Sequence, residues 1–279
     1  MSHGDRFGGD RSLGLGRRAG TWAFRVGYAA VFAFLLAPIV VVVATSVNAT
    51  SLVTFPPTAL SLRWYAALVT DEAWVRAIRN SLLTATATSV FATTLGLLAA
   101  LGVDRLDDRL GTLVTGLAVL PLLVPGVVLG VTLLIFFSQF GLQQQLPTIV
   151  LAHSLWATPL TYSILRATFA RFDWDVRDAA LDLGASRPRA FREVVAPNVR
   201  AGLVAAAVVA FVVSLQEFVM TLFLSGRDTQ TVPVKAWNSL RNSLDPLVSV
   251  TATLLVVAVL LVVVIVGVTA GVDRLARDS

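Results

Sequence analysis

Residues Asp178 to Pro197 read DAALDLGASRPRAFREVVAP. The pattern is that of two short helices joined by a turn. Asp173 can cap the first helix, and an acidic start suits the helix dipole. Val176, Ala179, Ala180 and Leu183 recur at helical spacing and form one apolar stripe. Gly184 can adopt the left-handed conformation that ends a helix. Ser186 is the expected cap of the second helix, with Pro188 tolerated in its first turn. Phe191, Val194 and Val195 make a second stripe, and Pro197 is expected to stop that helix. The pair lies inside the longest charged stretch of the chain, Arg166 to Arg200, with apolar runs on both sides. The fold therefore turns on what those runs are.

Working outward, the apolar runs have the length of membrane spans. Val26 to Val47 matches a hydrocarbon core of about 30 Å at about 1.5 Å per residue. It is longer than the apolar core of a signal peptide, so a retained helix is expected. A polar stretch, Asn48 to Asn80, holds Pro56-Pro57, Trp64, Tyr65 and Trp74 and suits the headgroup zone, in part as a short interfacial helix. Further spans are expected at Ser81–Val103, within Leu110–Phe140, at Leu146–Leu165, at Ala201–Leu224 and at Leu247–Val272. The second is rich in small residues that permit close helix packing. The third is expected to kink or break near Pro121 and Pro125. The fold class is thus an all-α membrane protein with six transmembrane helices. Its parts are a mobile tail at 1–25, a membrane domain at 26–272 containing the loop 166–200, and a tail at 273–279.

Charge sets the orientation. Lys and Arg number five in the N-terminal tail, two in Asp104–Arg109, seven in Arg166–Arg200 and two in the C-terminal tail. The other three loops hold three, none and three. Positive charge accumulates on the cytoplasmic side, so both termini and the Asp178–Pro197 pair are expected there. The composition agrees. Only 14% of residues are charged, in short clusters, although the net charge is +5. A nucleic-acid binder would carry its arginines on a soluble face, so no nucleic acid is expected. With no cysteine and two separated histidines, His3 and His153, neither thiol catalysis nor a metal site is expected. From spacing alone, the helix pair is either a docking surface for a partner or an amphipathic loop on lipid headgroups.

The pattern Glu/Asp-Ala-Ala, three residues, Gly, nine residues, an aliphatic, one residue, Leu, Pro resembles the signature loop of permease subunits of ATP-binding cassette (ABC) importers. Asp178 stands for the usual Glu, Ala179 and Ala180 match, and Ala196 stands for the usual Leu. Gly184, Val194 and Pro197 fall at the expected offsets. The run Ala210 to Val219, then Phe223-Leu224-Ser225-Gly226 and Thr231-Val232-Pro233-Val234, is similar to the spermidine/putrescine-type permeases, with Gln216 in place of the commoner acid before Glu217. The likeness runs from about Trp22 to Val272.

The resemblance implies a type I importer permease fold (MetI-like) in the bacterial inner membrane. Asp178, Ala179, Ala180, Gly184, Phe191, Val194 and Pro197 would then form the loop that couples to the ATPase. Its implied partners are two ATP-binding subunits, a second homologous permease subunit in a heterodimer, and an extracytoplasmic solute-binding protein. The implied mechanism is alternating access driven by closure of the ATPases, with a polyamine as the expected solute. The chain has no Gly-x-x-x-x-Gly-Lys-Ser/Thr sequence, so it is not expected to cradle ATP phosphates by a P-loop; no cofactor is expected on this chain, and ATP would be used by partner subunits. It is not expected to be an enzyme. The rival class is a stand-alone ion-coupled transporter or intramembrane enzyme, which would need several charges or a convergent polar cluster within the spans.

Glu217 is the one acid well inside an expected span. A carboxylate there costs about 2.5–3.5 kcal/mol on insertion scales, so it should face the bundle or a watery path. With Gln216 it is the expected lining of the substrate path, the alternative being a structural hydrogen bond to a neighbouring helix. His153 is expected to be a hydrogen-bonded core histidine. Trp237 and Tyr162 are expected to pack or anchor rather than line a cation path.

Overall fold

The computed structural model describes residues 9–50, 54–103, 106–242 and 246–275, and among these every regular element is helical. The elements are α1 (Gly9–Ser46), α2 (Arg63–Thr70), α3 (Glu72–Val103), α4 (Asp108–Val119), α5 (Gly126–Ser138) and α6 (Leu146–Phe169). They continue with α7 (Trp174–Asp182), α8 (Arg187–Ala190), α9 (Ala196–Gln216), α10 (Val219–Leu224), α11 (Val232–Asn242) and α12 (Leu247–Leu275).

The centre is the layer α3, α6 and α9. Along α3 the buried positions Ala77, Asn80/Ser81, Thr84/Ala85, Thr88/Ser89, Ala92, Gly96 and Ala100 recur every three or four residues and are small or polar. They let backbones touch. A Cβ on Gly96 would overlap Thr161 Oγ1 and lie 2.8 Å from the Tyr162 amide nitrogen. Hydroxyls join the layer: Thr161 Oγ1 donates to the Ala92 carbonyl at 2.8 Å, and Ser89 Oγ to the Ala207 carbonyl at 2.6 Å. Ala92, Ala157 and Ala210, one from each of the three helices, are buried together.

Two apolar clusters close the ends of this layer. At the end carrying the α6–α9 connection, Ala100, Tyr162, Leu165, Phe169, Val195 and Val199 are buried together. At the opposite end Leu68, Trp74, Ala77, Val232, Leu247 and Val250 pack. There Asn80 Nδ2 donates to the carbonyls of Asp228 (2.8 Å) and Gln230 (3.1 Å), and Ser81 Oγ accepts from the Val232 amide. The stretch 225–246, the connection between the expected spans Ala201–Leu224 and Leu247–Val272, therefore contains α11, docked through its buried Val232, Val234 and Ser239.

α1 is peripheral. Most of its apolar stretch Phe24–Ser46 is uncovered by the rest of the chain, with Phe24, Val31, Phe34 and Val40 all exposed, and only its end at Thr45 and Ser46 is buried. A helix apolar on every side is suited to lipid or to another membrane helix. It meets α12 through Thr45 Oγ1 and Ser249 Oγ, 3.2 Å apart, and α2 through Ser46 Oγ and Tyr65 Oη, 2.8 Å apart. The helix begins at Gly9, so the part of the expected tail from Gly9 to Arg25 is helical. Residues 1–8 and 276–279 lie outside the described residues. The expected second span starts earlier than Ser81, at Glu72, and the short helix expected in Asn48–Asn80 is α2.

Among the described residues four helical stretches are long and apolar enough to cross a membrane: Phe24–Ser46, Glu72–Val103, Arg187–Gln216 and Leu247–Val264. The break expected near Pro121–Pro125 is sharp. Arg109–Leu123 and Gly126–Ser138 meet at 99°, with a 3₁₀ turn at Leu120–Leu123. α6, at 24 residues, is long enough to span at about 1.5 Å per residue but is less apolar. Its polar residues His153, Ser154 and Thr161 are buried between α3 and α9, where no lipid reaches them.

Candidate functional site

The connection between α6 and α9 is built from local signals. Asp173 Oδ1 accepts from the Asp175 amide at 3.1 Å, the cap expected from sequence. Trp174 stacks edge-on to Phe172 (5.1 Å between centroids) and leans on Phe169 (5.9 Å), which fixes α7 to the end of α6. α7 ends at Gly184, whose φ is +89°. The Gly184 amide donates to the Leu181 carbonyl at 2.9 Å and the Ala185 amide to the Ala180 carbonyl at 3.0 Å, closing the left-handed turn.

The stripe that α7 offers is uncovered. Val176 is 47% and Leu183 89% exposed, with Ala179 also exposed and Ala180 half-buried. Asp178 is exposed and held by Arg177, whose Nε and Nη2 donate to its Oδ1 at 2.8 and 2.6 Å. The second stripe instead faces the bundle: Val195 is buried, and Phe191 and Val194 are half-buried. Between α7, α8 and the end of α3 lies a cleft of about 490 Å³ lined by Leu101, Trp174, Arg177, Leu181, Arg187 and Phe191.

Two local expectations are corrected. Ser186 stands at the cap position of α8, but its side chain makes no cap hydrogen bond. Pro197 does not stop the second helix. α8, a π-helical turn at Phe191–Val195 and α9 run on as one 30-residue helix, Arg187–Gln216. In the wide turn the Ala196 amide donates to the Phe191 carbonyl, five residues back. That turn accommodates the proline ring, which would otherwise collide with the carbonyl four residues earlier. The exposed tip at Gly184 is therefore joined by α8 to a continuous rod reaching Gln216.

At the far end of that rod the chain breaks. The expected span Ala201–Leu224 is divided into α9 and α10 by Glu217 and Phe218. Glu217 is 6% exposed, and its carboxylate accepts from the amides of Met220 (2.7 Å) and Thr221 (3.0 Å) and from Thr221 Oγ1 (2.9 Å). It caps α10. Its Oε2 also lies 3.2 Å from His153 Nε2. Gln216, next to it, is exposed, in an apolar groove shared with Val212, Pro233, Ala252 and Leu255. The two expected path residues thus point differently: Gln216 outward and Glu217 into a hydrogen-bonded core. The acid three and four residues ahead of Met220 and Thr221 was the available sign of a cap.

His153 is the hydrogen-bonded core histidine expected from sequence, with both ring nitrogens engaged. Tyr162 packs as expected, its hydroxyl 2.7 Å from Thr115 Oγ1 and within reach of Arg166. Trp237 lies against Phe218 at 5.5 Å.

Comparison with known proteins adds the family dimension. Residues 92–277 match the family model described as "Binding-protein-dependent transport system inner membrane component". This stretch covers both the Gly184 turn and the α9–α10 break. The chain is 30% identical over 237 residues to the putrescine transport system permease protein PotI of Escherichia coli (strain K12), covering 82% of this chain and 83% of that protein. It is also 30% identical over 257 residues to the trehalose transport system permease protein SugB of Mycobacterium tuberculosis, covering 88% and 92%. In fold it is similar to a chain from the crystal structure of a bacterial ABC transporter that imports the acidic polysaccharide alginate. There the TM-score is 0.70 at 15% identity, covering 94% of this chain and 97% of that one.

Proposed function

The chain belongs to the family of inner membrane components of binding-protein-dependent transport systems, and from that premise we propose that it is the permease half that converts closure of a separate ATPase into alternating access for a small solute. It is an ABC importer permease, a transport component rather than an enzyme. The observation that carries the proposed mechanism is the Gly184 turn. It presents Val176 and Leu183 uncovered beyond the bundle, on a segment joined through α8 to a continuous helix ending at Gln216. An apolar stripe displayed on a short capped helix is suited to a pocket in a partner protein. A push on α7 would travel along Arg187–Gln216 to the break at Glu217, where the solute path is proposed to pass Gln216.

The proposed assembly follows from the same premise: two ATP-binding subunits, a second permease chain and an external solute-binding protein. The lipid-facing or subunit-facing partner for α1 comes from that assembly and the bilayer. We take six spans as the working topology, counting α6 and the bent pair α4/α5 with the four apolar stretches, and we place Gly184 in the cytoplasm by its arginine-rich surroundings. The chain contains no cysteine, so a single Ser186→Cys residue tests this cleanly. An impermeant thiol reagent is expected to label it in inverted vesicles and not in intact cells; labelling of intact cells overturns the orientation.

A polyamine is the proposed solute. It is supported by the resemblance of the Ala210–Val219 stretch and by the putrescine permease relative. Uptake of labelled putrescine, spermidine and trehalose by the assembled transporter decides the class. Coupling is tested by Gly184→Val. The turn needs positive φ, which costs a branched residue about 1–2 kcal/mol, and the altered tip is expected to abolish uptake. A variant that inserts, retains its ATPase and transports at the wild-type rate would show that this turn does not couple.

A further inference from the structure

His153 on α6 touches both arms of the α9–α10 break. Its Nδ1 lies 2.7 Å from Ser214 Oγ, in the last turn of α9. Its Nε2 lies 2.7 Å from Thr221 Oγ1, in the first turn of α10, and 3.2 Å from Glu217 Oε2, between the arms. All four residues are at least nine-tenths buried, at 1%, 3%, 0% and 6% exposure for His153, Ser214, Thr221 and Glu217.

Counting donors assigns a hydrogen to one ring nitrogen. The single hydroxyl proton of Thr221 is directed to Glu217 Oε2. His153 Nε2 then faces a hydroxyl lone pair and a carboxylate oxygen, both acceptors, so Nε2 carries a hydrogen. Nδ1 is left to exchange a hydrogen bond with Ser214. The imidazole is thus a bridge, one nitrogen on each arm.

A bridge is needed here for a mechanical reason. The Glu217 carboxylate fastens the first amides of α10 and meets His153 of α6, but none of these bonds reaches α9, so the carboxylate does not itself hold the angle between the arms. α10 is fastened elsewhere. The Gln144 amide donates to the Leu224 carbonyl at 3.1 Å, and a Cβ on Gly130 of α5 would sit 3.2 Å from the Met220 Cα. α9 is the end of the long rod from Arg187. Between these two bodies, the His153 ring is a direct polar tie from α6 to each.

We propose that His153 is a positioning residue: by holding Ser214 and Thr221 at once it sets the angle of the α9–α10 break, and with it the direction in which Gln216 faces. The transport arm of the test rests on the proposed function; the labelling arm does not.

The substitution Gln216→Cys, in a chain that has no cysteine, reports the geometry through its rate of alkylation. His153→Leu is expected to change that rate about fivefold and, in the chain with native Gln216, to lower uptake per inserted molecule about tenfold, the scale of losing charge-assisted hydrogen bonds. His153→Gln keeps a donor and an acceptor and is expected to bring both to within about twofold of the parent. If His153→Leu does not insert, Ser214→Ala, which cuts the tie to α9, and Thr221→Val, which cuts the tie to α10 and also the hydroxyl bond to Glu217, are each expected to shift the labelling rate in its place. A merely structural histidine would lower the amount of inserted protein while leaving labelling and uptake per molecule unchanged, and that result overturns the proposal. So does a glutamine variant no better than leucine. A labelling shift in a complex that transports no solute would keep the positioning role and sink the transport reading.

Discussion

Gly96→Val is expected to destabilise the central layer strongly. The new Cβ would overlap the Thr161 hydroxyl and sit 2.8 Å from the Tyr162 amide nitrogen and 3.0 Å from the Thr161 carbonyl carbon. Two of these three neighbours are backbone, which has no rotamer to retreat into. α3 and α6 must separate, and the hydrogen bond from Thr161 Oγ1 to the Ala92 carbonyl is lost as they do. Overpacking of this kind costs about 1–3 kcal/mol where side chains can adjust, and the backbone contact puts this site at or above about 3 kcal/mol. Thermal denaturation in detergent is expected to show a midpoint lower by about 5–10 °C with little inserted protein in membranes. Gly96→Ala adds the same Cβ without branching and is expected to show a smaller fall in the same direction. A valine variant with the parent midpoint and normal uptake would mean that α3 and α6 do not touch at Gly96.

Glu217→Gln is the second large effect. Four donor groups converge on the two carboxylate oxygens: the amides of Met220 and Thr221, the Thr221 hydroxyl and His153 Nε2. An amide side chain offers one oxygen and turns an NH₂ toward the remaining donors. At least one buried donor is left unpaired, at about 1–3 kcal/mol each. The break should loosen, and transport should fall about tenfold or more. The kinetic form of the loss separates two roles. A cap predicts a lower maximal rate with little change in the solute concentration for half-maximal uptake. Direct contact with a cationic solute predicts that this concentration rises. Unchanged rate and affinity would remove Glu217 from the mechanism altogether.

The parts of this architecture that were legible in the sequence are those set by neighbours along the chain. Asp173 and Gly184 bracket α7 because a cap acceptor and a left-handed glycine act within a few residues. The proline-rich break between α4 and α5 is local for the same reason. What escaped was set across the fold. Pro197 looked like a terminator because nothing in its vicinity foretells a π-helical turn, and the turn is what lets the helix pass it. The stretch containing α11 is polar enough to look like a loop, and it becomes a helix as Val232 packs with Trp74 and Ala77 of α3 and Leu247 and Val250 of α12, with Val234 also buried. Glu217 stands out in the sequence as an acid in an apolar run, which fits either a substrate path or a structural hydrogen bond to a neighbouring helix, and the contact with His153 of α6 is the second of these. Its partners sit three and four residues onward and on α6, where only a three-dimensional view brings His153 to it. Its neighbour Gln216 is the residue left exposed.

The seam between α1 and α12 also bears on how the molecule is made. Thr45 and Ser249 are 204 positions apart, so α1 leaves the ribosome long before its mate exists. Until then the apolar stretch Phe24–Ser46 must be sheltered by lipid or by an insertion factor, and the bundle of α3, α6 and α9 is expected to assemble first. Contacts of such long separation form slowly because the chain must first close a very large loop. Docking of α1 on α12 is therefore expected to be the last step of maturation, and a protease acting on stalled nascent chains should find α1 undocked while the central helices are already protected.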